Sequence, residues 1–159
     1  MSAVDEGNPW VVRTDFSNNQ VWDEVKRLVS MPHNDPLSDI VFYANVRFVE
    51  ESLFANLTGE QVVHALPERY PGFVVFAFDS ETIKCREHSL LVVGFLPQGD
   101  DPSLFARSPS QTPVNEIQAF RAIPAAIQSI ENNLSIANMD FKDFAGAVNS
   151  DGIFRGFEG

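Results

Sequence analysis

The chain has 159 residues, 44% hydrophobic and 21% charged, a length and composition that support one buried core and argue against disorder. Its formal charge of −11, from 22 acidic and 11 basic residues, argues against nucleic-acid and anionic-membrane partners, whose affinity comes from clustered Lys and Arg. Only Lys26 and Arg27 are adjacent, and the acidity reads either as solubility or as a surface for a basic partner.

Cys85 is the one cysteine, which rules out an internal disulfide and a CxxC zinc or redox site. Residues 1–9 are polar and acidic, without the charged and apolar regions of a secretion signal, and read as a disordered tail. No apolar run approaches the roughly 18 residues of a spanning helix. A cytoplasmic location is expected.

Taken in chain order, Trp10 to Thr14 reads as a first strand. A helix follows, capped by Asp15 or Ser17. Val21, Trp22, Val25, Leu28 and Val29 form its core-facing stripe, and Pro32 ends it. A polar loop through His33 to Pro36 leads to a second strand near Ile40 to Val49, rich in β-branched and aromatic residues. Thr58 and Gln61 make a capping box for a second helix that Pro67 closes. The continuous apolar runs Phe73 to Phe78 and Ser89 to Leu96 suit strands covered on both faces. The stretch between them, Asp79 to His88, is too short for a crossover helix, so the two are expected to pair antiparallel.

Gln98 to Pro113 has no periodicity and reads as a mobile loop. Ile117 to Ile123 is expected to be the last strand, and Pro124 to start a helical segment towards Ile130. Asp140 caps a helix carrying Phe141, Phe144, Ala145 and Val148, and after a turn at Asn149 to Gly152 the apolar tail Ile153 to Phe157 docks. Together these elements predict an α/β fold: one domain over 10–159, with a mixed, largely parallel sheet of about five strands and helices packed on it.

The segment Ser129 to Phe141 (SIENNLSIANMDF), with Phe144-Ala145 and Asp151 to Phe157 (DGIFRGF), resembles an uncharacterised family of small, mostly bacterial proteins grouped as a domain of unknown function. Val12 to Ser17 (VRTDFS), with Trp22 shortly after it, is similar to that family's other signature. The resemblance runs from Trp10 to Phe157 and brings no established reaction or cofactor. Gln98 to Pro113 is longer than in compact members of that family, a place for a function particular to this chain.

Three groups of residues are candidates for chemistry. Asn132, Asn133, Asn138 and Asp140, with Glu131, offer amide donors and acceptors that grip a small polar ligand or a backbone edge; the same residue types cap helices and form turns. If the first strand is parallel and central, its carboxyl end is where α/β sheets place ligands, with Arg13 binding an anion and Asp15 acting as base or orienter. Alternatively, Asp15 is a cap and Arg13 pairs with Glu131, Asp140 or another acid. Arg155 joins the same cluster if the tail returns to the strand tip. In the third group, His33, His64 and His88 lack zinc-site spacing, Cys85 and His88 fall three apart, and Asp79 reads as a cap.

No metal and no cofactor are expected: the nine glycines form no phosphate loop. Two functions remain. One is a non-catalytic binding module of the immunity or regulatory type that holds a protein partner. The other is a small cofactor-free enzyme or small-molecule-binding protein of the kind found in biosynthesis, with a Phe-lined pocket for a polar or aromatic ligand. The first is preferred.

Overall fold

A computed structural model describes residues 8–34, 39–68, 70, 73–95, 109–135 and 141–156. The elements are β1 (Trp10–Arg13), α1 (Asn19–Ser30), β2 (His33–Asn34), β3 (Val41–Phe42), β4 (Arg47–Val49), α2 (Gly59–Ala65), β5 (Val74–Phe78), α3 (Ser80–Lys84), β6 (Leu90–Gly94), β7 (Gln118–Ala122), α4 (Ile127–Ser135), α5 (Phe141–Ala145) and β8 (Ile153–Phe154). Six strands form one sheet in the order β4-β1-β5-β6-β7-β8. The β1–β4, β1–β5 and β7–β8 pairs are parallel, and the two pairs made by β6 are antiparallel. The fold is thus the mixed, largely parallel α/β arrangement expected. β5 and β6 pair as the short connection between them requires.

The sheet is covered on both faces. Val11, Phe76, Phe78, Leu90, Val92, Phe120, Ala122 and Phe154 pack with α1, α4 and α5 on one face. Val12, Val49, Val75, Val93 and Phe95 pack with α2, Phe54 and Tyr70 on the other. Residues alternate between the two clusters along β1 and β6 because strand side chains point to opposite faces in turn. Tyr70 stitches the strand starts together: its hydroxyl donates to the Val74 carbonyl at 2.7 Å and accepts the Trp10 N–H at 2.8 Å. Burial holds its phenol well above the ordinary range.

The chain runs from β1 through α1 to β4, then back through α2 to β5 on the other side of β1. Reversing direction around β1 puts α1 and α2 on opposite faces, since both crossovers keep the same hand. The β1–β5 boundary is therefore a topological switch point.

Several local expectations need correction. The single strand expected over Ile40 to Val49 is two: β3 belongs to a separate two-stranded ribbon with β2, and β4 to the main sheet. The run breaks at Ala44 and Asn45, where the Asn45 N–H donates to the Glu131 carboxylate at 2.6 Å instead of to a strand neighbour. The segment at 117–123 is not the last strand, because the C-terminal segment pairs with it as β8 and brings the sheet to six. α1 is capped by Asn18, whose Oδ1 accepts the Val21 N–H, while Asp15 Oδ1 accepts from the Ser17 N–H in a tighter turn just before the helix. Within 98–113, residues 98–108 lie outside the described residues. At the loop's end Pro109 and Thr112 are buried, and the Thr112 carbonyl bonds His64 of α2 at 2.9 Å. At the N-terminal boundary Pro9 is buried, and its carbonyl accepts the Arg47 N–H at 2.9 Å.

Candidate functional site

Both parallel crossovers bring polar residues to the carboxyl ends of β4, β1 and β5, and the antiparallel β6 brings its start to the same edge. The arginines at the ends of β1, β7 and β8 stand along this edge, and each is held by carboxylates.

Arg13, the last residue of β1, is fully buried. It donates from Nη1 to Glu50, just past β4, from Nη2 to Asn19 Oδ1 at 2.8 Å, and from Nε to the Asp15 carbonyl at 3.0 Å. Its guanidinium also lies over the rings of Phe16, Trp22 and Phe78, with the Phe16 centroid 4.8 Å away. Arg13 therefore finds neither Glu131 nor a free anion position. Its acid is Glu50, delivered by the parallel β1–β4 register that aligns Val12 with Val49.

Arg121, at the end of β7, makes a two-pronged pair with Asp79 at 2.8 and 3.0 Å and also donates to the Ser89 hydroxyl and carbonyl. Asp79 caps α3, as expected, by accepting the Thr82 N–H. Burial raises the Asp79 carboxyl, but the hydrogen bonds and charge of Arg121, with the Thr82 N–H and hydroxyl, outweigh it and hold the group below the ordinary carboxylate range.

Next to this pair lies the Cys85 to Ser89 turn, where His88 adopts a positive φ of 54°. Burial raises the Cys85 thiol, and hydrogen bonds from the Ser89 backbone and hydroxyl and the Glu87 backbone bring it below the usual thiol range. His88 Nδ1 is tied to the Thr82 carbonyl at 2.9 Å.

Arg155, just past β8, binds Glu87 at 2.7 Å, Asp151 at 2.6 Å and Asn149 at 2.9 Å. The Arg155 hydrogen bonds lower both carboxyls. It does not join Arg13, because β5, β6 and β7 lie between their two strands.

Asn132 and Asn133 lie at the other end of the sheet. Glu131, buried on α4, accepts the Asn45 N–H and the Asn132 amide at 2.7 Å, and Asn132 also donates to the Tyr43 carbonyl at 2.9 Å. Asn45 precedes β4 and Glu50 follows it, so the length of β4 and its flanks, five residue steps or roughly 15 Å, separates this clamp from Arg13. Asn133 donates to the Ser129 carbonyl one turn back. The amide-rich segment thus grips a backbone edge, the chain's own segment 43–45. Asn138 and Asp140 lie outside the described residues.

The clamp anchors the stem of the β2–β3 ribbon, and this ribbon is the feature that sequence reasoning missed. Val41, Phe42 and Tyr43 are 42%, 38% and 53% exposed, with Met31 and Ile40 exposed beside them in the chain. Successive strand residues point to opposite faces, so apolar side chains reach solvent on both faces of the ribbon. In sequence, these residues are indistinguishable from a core strand. Glu50, Arg121, Ser89 and Glu87 were also missed, because nothing local marks a residue that pairs across strands.

The paired carboxylate at Asp79 sets a pH test. Its pKa is lower folded than unfolded, so its contribution is complete above the ordinary carboxylate value near 3.9 and is lost as pH falls through the depressed folded value. Asp79→Asn keeps the cap but removes the charge. It is expected to cost about 1–2 kcal/mol at neutral pH, with the gap to the unmodified chain closing in urea unfolding as the pH falls below the ordinary carboxylate range. A gap independent of pH would show that the ion pair contributes nothing.

Among the described residues no group of three or more His, Cys, Asp or Glu side chains is placed to hold a metal ion, and no helix is long and apolar enough to cross a membrane. No curated protein and no solved structure matches the chain. A family model described as "Domain of unknown function (DUF6924)" matches residues 8–157, and the chain belongs to that family.

Proposed function

We propose that the protein is a non-catalytic binding module of the cytoplasm that holds a protein partner on its β2–β3 ribbon. The observation that carries this reading is the exposure of Val41, Phe42 and Tyr43 on a two-stranded ribbon outside the main sheet. A ribbon of two strands is marginal by itself in water, and contiguous exposed apolar side chains are the common mark of an interface. The Glu131–Asn132 clamp supports the same reading, because it spends a buried carboxylate on fixing the ribbon's stem to α4. At the carboxyl edge, by contrast, Arg13, Arg121 and Arg155 are each engaged by carboxylates of the chain itself.

The test is a photo-crosslinking amino acid in place of Phe42, with the same replacement at Leu53, an apolar and more exposed residue past the other end of β4, as control. A discrete adduct with another protein in cells is expected from position 42 and not from position 53. Equal adducts from both positions, or none from position 42, would refute the reading.

A further inference from the structure

β4 closes one side of the main sheet, with β1 as its one strand neighbour among the described residues. The Arg47 N–H donates to the Pro9 carbonyl at 2.9 Å, so Arg47 and, two residues on, Val49 turn their backbone groups towards β1. Those of Phe48 and Glu50 point away from the sheet, where no backbone group of the described residues meets them.

The side chains alternate as well. Val49 is buried on the α2 face, and Arg47 lies over Trp10 on that face, 5.6 Å from the ring centroid. Phe48 packs on Trp22 and Glu50 reaches Arg13, both on the α1 face. Glu51 is still extended, with φ −115° and ψ 136°, so it returns to the face of Arg47 and Val49. Glu50 and Glu51 are exposed. Among the described residues neither Arg47 nor Glu51 has an ion-pair partner.

This edge is matched to one occupant. An added strand needs outward N–H and C=O groups, which Phe48 and Glu50 supply. Arg47 and Glu51 stand two residues on either side of Val49, on one face and with opposite charge. A two-fold axis at Val49 carries each onto the position across from the other, the self-matching pattern of an isologous interface. In that register, antiparallel by symmetry, Phe48 of one copy exchanges both backbone hydrogen bonds with Glu50 of the other.

We propose that the chain forms a two-fold dimer in which β4 pairs with β4 of a second copy, antiparallel about Val49, joining two six-stranded sheets into one. Each Arg47 then faces the Glu51 carboxylate of the other copy. The pairing uses no residue of β2 or β3 and is independent of the ribbon's partner. The formal charge of −11 opposes it, but beyond about 8 Å that repulsion is screened at physiological salt.

The test is sedimentation equilibrium of the whole chain at physiological salt, with hydrogen exchange of single backbone amides followed over the same concentrations. A monomer–dimer equilibrium is expected. The Phe48 and Glu50 amides are expected to slow at least tenfold as dimer forms, while those of Arg47 and Val49, already bonded to β1, change less. Arg47→Glu and Glu51→Arg are each expected to weaken association at least tenfold. Their equimolar mixture is expected to regain it, because both pairs are again opposite in charge. Glu51→Arg, at an exposed position, serves alone with the exchange measurement if Arg47→Glu uncovers Trp10 and unfolds early. A chain that stays monomeric at its highest soluble concentration would overturn the proposal, leaving the charges of β4 as guards against edge pairing. A dimer that leaves the Phe48 and Glu50 amides unprotected, or that the charge reversals leave intact, would also overturn it and put the contact elsewhere.

Discussion

Arg13→Ala is expected to lower the unfolding free energy by about 3 kcal/mol, whereas Glu50→Gln lowers it by less than about 1 kcal/mol. The difference follows from where each side chain sits. The Arg13 side chain is 1% exposed and that of Glu50 is 48% exposed, so the carboxylate regains water when its partner is removed, and little of the loss is Coulombic. Removing the guanidinium instead empties the space between Phe16, Trp22 and Phe78 and leaves Asn19 Oδ1 and the Asp15 carbonyl without their donor. Arg13→Lys is expected to recover only part of the loss, because an ammonium cannot reproduce a planar fork aimed at three acceptors. Urea unfolding of the three variants checks this; equal costs for Glu50→Gln and Arg13→Ala would mean that the charge pair, and not burial, carries the stability.

Gly94→Ala is expected to destabilise by about 2 kcal/mol, within the range for overpacked cores. A Cβ on Gly94 would stand 2.7 Å from Phe141 Cδ2 and 2.9 Å from Cγ and Cε2, three atoms of one ring. The ring cannot retreat easily: Phe141 is buried and packs at 5.1 Å on Phe120, which sits in β7 beside β6. In a strand with open space the same substitution stabilises, since alanine loses less backbone freedom on folding. The sign therefore reports whether α5 is seated on the sheet. Phe141→Leu in the Gly94→Ala background is expected to cost less than the sum of the two single changes. Strict additivity in thermal or urea unfolding would show that the two residues do not meet.

Functional residues were less legible than the fold, and particular cases show why. Asp79 and Thr58 were readable as caps because a cap bonds a backbone group three residues away. Asn18 was missed although it obeys the same rule, since Asp15, Ser17, Asn18 and Asn19 are all competent caps within five residues and only the entry path of the chain chooses between them. The polar-site residues divided differently from expectation. Arg13 and Asp15 lie at the carboxyl edge, Arg155 lies on the same edge beyond three intervening strands, and Asn132 and Asn133 lie at the far end on α4.

Residue order by itself determined the helical stripe of α1, the capping box of α2, the buried runs of β5 and β6, and their antiparallel pairing across a short turn. Each of these depends on contacts within one helical turn or across one short connection. Tertiary structure alone decided that Arg13 meets Glu50, 37 residues on, and that Glu131 holds Asn45, 86 residues back. It also decided that Val41, Phe42 and Tyr43 stay in water. The reason is that an apolar, β-branched run has the same local preferences whether covered or bare, and its cover is set by strand order and crossover hand, which distant contacts fix.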